Sequence, residues 1–338
     1  FSSAEFGTIS KTISKIRVDG SNKTLISSDH GYNDAEFTNG MNYFVKTYSD
    51  ANRPPVSTLC DNAGKELAVL QDNSALNEKL SSYTLGKKEF FTLELEGRSL
   101  NAWMLKPANF DPAKKYPVYM IVYGGPGHNE VIDSWGGMNL MYHQLLAQKG
   151  YIVVSVDPRG TMYRGSGFKK STYLQLGKLE TEDFIAVAKE LQTFEFVDKN
   201  RIGIQGWSYG GQLSSLAITK GADFFKLAIA VAPVTNWRYY DNIYTERYMQ
   251  TPKENPNGYD DNSPIYHVDK LKGKYLLIHG SADDNVHVQN TYEMTSALVK
   301  ANKQFDLFIY PDKNHGIYGG STRFHLYKKM TDFITDNL

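Results

Sequence analysis

The chain has 338 residues, more than one hydrophobic core usually organises, so one large domain with a smaller companion is expected. With 41% hydrophobic and 22% charged residues it has the balance of a soluble globular protein, which excludes extended disorder. Lys plus Arg equals Asp plus Glu at 37 each, so no net field recruits nucleic acid or an acidic lipid surface.

From Phe1 to about Leu80, short alternating segments are broken by turn residues, the pattern of hairpins. Residues 12–18 and 24–26 flank Asp19-Gly20-Ser21-Asn22, Asn39-Gly40 separates 34–38 from 41–48, and Asn62-Ala63-Gly64 separates 56–59 from 66–70. Four antiparallel strands in ~40 residues make one propeller blade, the plainer alternative being an isolated meander. Residues 1–80 therefore read as the incomplete C-terminal part of a β-propeller, and 81–338 as a catalytic domain. The chain opens mid-pattern and without Met, as a piece of something longer would, with any targeting segment lying outside it. Cys60 is the single cysteine, which excludes an internal disulfide framework and reads as a small buried hydrophobe. No apolar run reaches the ~18 residues of a membrane span. The sequon Asn22-Lys23-Thr24 carries little weight.

Past a polar stretch at 71–82 the period changes. Residues 90–95 and 100–105 pair as a hairpin, after which strands at 118–123, 151–156, 201–206, 227–232, 275–279 and 305–310 alternate with helices. The helices fall at about 138–149, 180–192, 207–220, 288–301 and 322–337. This alternation predicts an α/β fold, a mostly parallel sheet with helices on both faces and ligands at the carboxyl ends of its strands.

Gly206-Trp207-Ser208-Tyr209-Gly210 falls between a buried strand and a helix, where a nucleophile elbow belongs. The strained turn needs minimal neighbours, which Gly206, Gly210 and Gly211 supply; the plainer reading is a serine N-cap among packing glycines. A serine nucleophile needs an imidazole base, and the base needs an orienting carboxylate. Asp283 and His315 each follow a later strand, giving the chain order Ser, Asp, His of α/β-hydrolases. Asp284, His287 and His325 are the competitors: the first lies farther from its strand, and the two histidines sit on helices. His279, Asp283, Asp284 and His287 could suggest a metal, but no His-Glu-x-x-His pattern occurs, and no metal or cofactor is expected. The oxyanion would meet the backbone N–H of Tyr209 and a donor from the loop Tyr123-Gly124-Gly125-Pro126-Gly127.

Together with His279-Gly-Ser-Ala-Asp-Asp-Asn-Val286, Asn314-His-Gly316 and the stretch 232–249, these motifs resemble the prolyl oligopeptidase family of serine peptidases, in particular its dipeptidyl peptidase branch, over residues 85–338. The resemblance implies an enzyme of α/β-hydrolase fold that removes dipeptides from a free N-terminus after Pro, less well after Ala. It implies that the Tyr123 hydroxyl is the second oxyanion donor, that Tyr209, Val234, Trp237, Tyr240, Tyr244 and Val286 wall the pocket for the proline ring, and that Asn285 holds a substrate carbonyl. By spacing alone Trp237, Tyr240 and Tyr244 read as the core face of a helix. The glutamate pair that holds the substrate amine in the family, with an arginine that helps hold a carbonyl, comes from propeller residues preceding these; Glu246 is not that pair. The resemblance further implies peptide substrates with a free N-terminus, export or a cell-surface place, and a homodimer formed partly through the C-terminal region. A post-proline endopeptidase or acylaminoacyl-type peptidase is the near alternative, and a non-catalytic binding protein the distant one.

Overall fold

In the computed structural model, which describes all of residues 1–338, the hairpin-like segments of the N-terminal stretch are antiparallel strands. Strands β1 (Ser2–Ser3), β2 (Thr12–Lys15) and β3 (Thr24–Leu25) make one small sheet. Strands β4 (Tyr32–Phe37), β5 (Tyr43–Asp50), β6 (Arg53–Asp61) and β7 (Glu66–Gln71) make a four-stranded sheet in sequence order. The run expected at 41–48 begins instead at Tyr43, because Gly40 and Met41 take positive φ in the turn. Ile13, Ile26, Phe44 and Cys60 form a small core here; Cys60 is fully buried, and burial raises its thiol pKa. Helix α1 (Ser74–Ser81) occupies the polar stretch and buries none of its residues.

Contacts divide the chain into two units. One comprises residues 1–90, 105–109 and 131–149, including helix α2 (Gly137–Gln148); the other comprises 91–104, 110–130 and 150–338.

The larger sheet opens with the hairpin of β8 (Lys88–Leu95) and β9 (Arg98–Leu105). Its two turn residues, Glu96 and Gly97, have φ of 48° and 82°, the type I′ geometry whose twist suits a tight hairpin. Strands β10 (Tyr116–Val122), β11 (Ile152–Val156), β12 (Val197–Trp207), β13 (Leu227–Val231), β14 (Lys274–Gly280) and β15 (Asp306–Tyr310) follow. The eight strands lie in the order β15-β14-β13-β12-β10-β11-β9-β8, and every neighbouring pair from β11 to β15 is parallel. Runs such as Ile152–Val156 and Leu227–Val231 are buried at every position, as strands covered on both faces must be. Beyond these lie α3 (Gly165–Lys170), α4 (Lys178–Leu191), α5 (Tyr209–Lys220), α6 (Asn242–Met249), α7 (Pro256–Asp261), α8 (Gln289–Lys300) and α9 (Thr322–Asn337).

The order reverses at β10, which has β11 on one side and β12 on the other, so the crevice for a ligand opens at their carboxyl ends. Register brings Val122 opposite Gly206, Trp207 opposite Val231, and Gly280 opposite Tyr310. The loops carrying Tyr123, Ser208, Asp283 and His315 all leave this same edge. Helix α5 is buried along its whole length except Lys220, and its internal hydroxyls are satisfied: Ser214 and Ser215 both donate to the Gly211 carbonyl, at 3.0 and 2.6 Å.

Candidate active site

Ser208 joins β12 to α5 with φ 59° and ψ −115°, a conformation that costs a non-glycine residue energy and persists only where its surroundings enforce it. Its N–H donates to the Val231 carbonyl at 2.8 Å, and its own carbonyl accepts from Gln212 N at 3.0 Å. The glycines are steric requirements. A Cβ on Gly206 would lie 2.0 Å from the Gly210 oxygen, and one on Gly210 would lie 2.2 Å from the Val122 oxygen. The elbow therefore presses backbone to backbone against the end of β10.

Asp283 is buried just beyond β14, and its carboxylate is saturated with donors. Oδ1 accepts from the N–H groups of Asn285 and Val286, at 3.0 and 2.9 Å. Oδ2 lies 2.8 Å from His315 Nδ1 and 3.2 Å from His279 Nε2. Burial pushes the carboxyl pKa up, but hydrogen bonds from His279 and His315, the His315 charge and the Val286 N–H together outweigh it and hold Asp283 well below the usual carboxylate range. Asp283 is thus a fixed negative charge aimed at the His315 ring. The His315 side chain is 23% exposed, so its other nitrogen has a route to the cleft. Trp207 Nε1 donates to the His315 carbonyl at 3.0 Å, tying the histidine loop to the residue before Ser208.

The competing residues go elsewhere. Asp284 and His287 are exposed, while His325 Nδ1 meets the Tyr310 hydroxyl at 2.8 Å within the last helix. His279 is fully buried and fully engaged: Nδ1 lies 2.7 Å from Thr291 Oγ1 and Nε2 lies 2.8 Å from the Val286 carbonyl.

On the β10 side, the Tyr123 ring folds back over its own loop. A Cβ on Gly125 would sit 2.6 Å from Tyr123 Cε1, so glycine is what lets the ring lie there. His128 stands edge-on to that ring, with centroids 4.5 Å apart, and its Nε2 is 2.9 Å from Glu130 Oε1. The loop is anchored below by Asp157, which accepts from Asn129 Nδ2 at 2.6 Å and from the Glu130 N–H at 2.7 Å. Burial raises the Tyr123 pKa, keeping the hydroxyl protonated and able to donate.

Aromatic rings gather beside the elbow. Tyr209 lies 6.1 Å from Tyr123 and 5.7 Å from Trp237, and Trp237 stacks with Tyr244 at 6.5 Å and 18°. Tyr240 meets Tyr244 edge-on at 5.4 Å and donates from its hydroxyl to Asn285 Oδ1 at 2.9 Å. Burial pushes the Tyr240 pKa up to about 12. Val234 and Val286 are buried, Asn285 is exposed. The three-and-four spacing expected to mark one helix face is not one helix. Trp237 lies in a 3-10 turn (Trp237–Tyr239), Tyr240 is extended, and Asp241 then caps α6, accepting from the Tyr244 N–H at 2.8 Å.

Two residues here escaped the sequence reading. Glu180, in the first turn of α4, is fully buried; its Oε1 accepts from the Tyr209 hydroxyl at 2.6 Å and its Oε2 from the Gly177 N–H at 3.1 Å. Burial pushes its pKa up to about 7 despite those bonds. Tyr248, whose ring meets Tyr244 at a tilt of 53° with centroids 4.9 Å apart, extends the aromatic group. A charged residue at a helix start gives no sequence signal of burial.

A family model, that of the prolyl oligopeptidase family, matches residues 139–338. Prolyl endopeptidase FAP of Bos taurus is 40% identical over 284 residues, covering 83% of this chain and 37% of that protein. Probable dipeptidyl-aminopeptidase B of Ajellomyces capsulatus is 38% identical over 318 residues, covering 91% of this chain and 34% of that protein. The crystal structure of Porphyromonas gingivalis dipeptidyl peptidase 4 superposes with a TM-score of 0.96 at 46% identity, covering all of this chain and 48% of that one. The chain thus spans a little over a third of these curated relatives and about half of that solved structure.

Proposed function

The chain belongs to the prolyl oligopeptidase family of peptidases, and on that premise we propose that it is the catalytic portion of a serine peptidase releasing N-terminal dipeptides after Pro or Ala. The observation that carries the reading is the convergence of a strained Ser208 at an elbow, a 2.8 Å Asp283–His315 contact and an aromatic group beside them. Ser208 Oγ attacks the scissile carbonyl while His315 Nε2 takes its proton, and Asp283 holds the Nδ1–H side of the ring. The negative charge that develops on oxygen meets the Tyr209 N–H and the Tyr123 hydroxyl. Collapse expels the amine, protonated by His315; a water activated by the same imidazole then releases the dipeptide and restores Ser208. Tyr209, Trp237, Tyr240 and Tyr244 with Val234 and Val286 suit a flat, rigid proline ring and exclude long side chains by bulk. Asn285 holds a substrate carbonyl in this reading, which its 2.9 Å bond from the Tyr240 hydroxyl supports.

We read β4–β7 as a propeller blade at the end of the domain that would supply the amine anchor. We also read the protein as exported or cell-surface; no helix is long and apolar enough to cross a membrane. Edge strand β15 with Leu307, and the exposed Val299 and Phe324 on α8 and α9, support a homodimer through the C-terminal region. Turnover of a Gly-Pro-arylamide by the full chain should vanish in Ser208→Ala. The endopeptidase reading, favoured by the name of the bovine relative, predicts instead that an N-acetylated peptide is cut as fast as its free counterpart.

A further inference from the structure

The triad reading above leaves one fully buried titratable side chain in direct contact with the carboxylate, His279, without a task. Its ring sits where three elements meet. Nε2 faces two acceptors, the Val286 carbonyl at 2.8 Å and Asp283 Oδ2 at 3.2 Å, so the hydrogen belongs on Nε2. Nδ1 is then a bare acceptor, filled by the hydroxyl of Thr291 from the first turn of α8 at 2.7 Å. Thr291 is itself fully buried, so that bond has no competing water.

We infer that His279 is a positioning residue whose Nε2–H locks the turn 283–286, fixing the orienting carboxylate and one wall of the substrate pocket with a single side chain. Oδ2 of Asp283 receives two imidazoles, one from the end of β14 and one from the loop after its neighbour β15, while Oδ1 is held by the turn's own N–H groups. Apart from the long 3.3 Å bond from the Asp283 N–H to the Gly280 carbonyl at the end of β14, the His279 bonds are what tie that turn back to the sheet. Because the same N–H reaches the Val286 carbonyl, a movement of the ring displaces the pocket wall together with the carboxylate. Thr291 supports the tautomer that the two oxygens impose: its hydroxyl donates to Nδ1, and without it that buried lone pair is left unpaired and the ring loses its hold on α8. Removing the Nε2–H leaves Asp283 less neutralised, so it grips the His315 imidazolium more firmly. The acid limb of the rate profile must then move to higher pH.

The inference rests on the proposed triad, and the test separates the two. In the full chain, His279→Leu, His279→Gln, Thr291→Val and Ser208→Ala are compared for kcat, KM and the pH profile on a Gly-Pro-arylamide. His279→Leu is expected to lose up to about 100-fold in kcat, as misplacement of a catalytic group by an ångström can. Its KM should rise as well, and its acid limb should move to higher pH. His279→Gln keeps a donor at the Nε2 position and should recover most of the rate. Thr291→Val, which keeps the helix surface, should shift the limb in the same direction with a smaller loss. Leu and Gln variants equally impaired with an unmoved limb would reduce His279 to packing, and wild-type kinetics in Thr291→Val would remove the support assigned to Thr291. Activity surviving in Ser208→Ala would instead overturn the triad itself.

Discussion

The indole Nε1 of Trp207 donates to the main-chain carbonyl of His315 across 3.0 Å, so the residue preceding the candidate nucleophile holds the loop of the candidate base. Arg323 of α9 lies over the same indole at 5.0 Å. Trp207→Phe keeps an aromatic ring but removes the donor. A hydrogen bond of this kind is worth about 1 kcal/mol net, so kcat should fall by roughly fivefold with KM little changed. Steady-state kinetics check this, and an unchanged kcat would mean that the His315 loop is held by its other contacts.

Gly210 supports a sharper expectation, because the atoms its Cβ would meet are backbone. The Val122 oxygen at 2.2 Å and Tyr123 Cα at 3.0 Å cannot rotate away, so the elbow or the end of β10 must shift. Gly210→Ala should cost on the order of 3 kcal/mol of stability and most of the activity of whatever folds. Gly127→Ala is the control. Its nearest neighbour is the flexible Lys169 Cε at 3.6 Å, leaving only the strain of φ +74°, on the order of 1 kcal/mol. Urea unfolding of both variants compares them directly.

Tyr240→Phe removes the 2.9 Å bond to Asn285 while leaving the edge-on contact with Tyr244. Asn285 is exposed and then free to rotate, so a substrate carbonyl should be held less often in the right place. KM should rise several-fold, by the loss of about 1 kcal/mol, with kcat nearly unchanged. A fall in kcat alone would assign Asn285 to the transition state rather than to binding.

The strands of the large sheet were legible because burial on both faces leaves a continuous apolar run: 227–232 was expected and Leu227–Val231 found. Ends were less so. Strand β12 begins at Val197, ahead of the apolar 201–206, because Val197 pairs with Tyr116 across a register shift. The elbow and the order Ser, Asp, His were legible because the turn demands glycines and the loops must follow strands. The aromatic group was legible only through the family resemblance, since spacing along one segment cannot report that Trp237, Tyr240 and Tyr244 lie in three different backbone conformations. Nor can spacing report that Tyr123 and Tyr209 approach from other loops. Glu180 was hidden for a related reason: its burial depends on Tyr209, 29 residues away in sequence.

Glu180 also carries a signature in the dependence of stability on pH. Folded, it holds its proton up to about 7, pushed there by complete burial, whereas its ordinary value is 4.5. Between those values the native state binds more protons than the unfolded state, so this group's contribution is full below about pH 4.5, falls as pH rises through the window, and levels off above about pH 7. At ~1.4 kcal/mol per pKa unit the swing is on the order of 3 kcal/mol. Glu180→Gln cannot titrate, and its amide oxygen still accepts from Tyr209, so its stability relative to the wild type should improve steadily across that window. Because every other group titrates alike in both proteins, the difference between their urea midpoints at about pH 5 and about pH 8 isolates Glu180. A difference that stays constant between the two conditions would show that Glu180 ionises at its ordinary value, with the Tyr209 and Gly177 donors compensating fully for the loss of water.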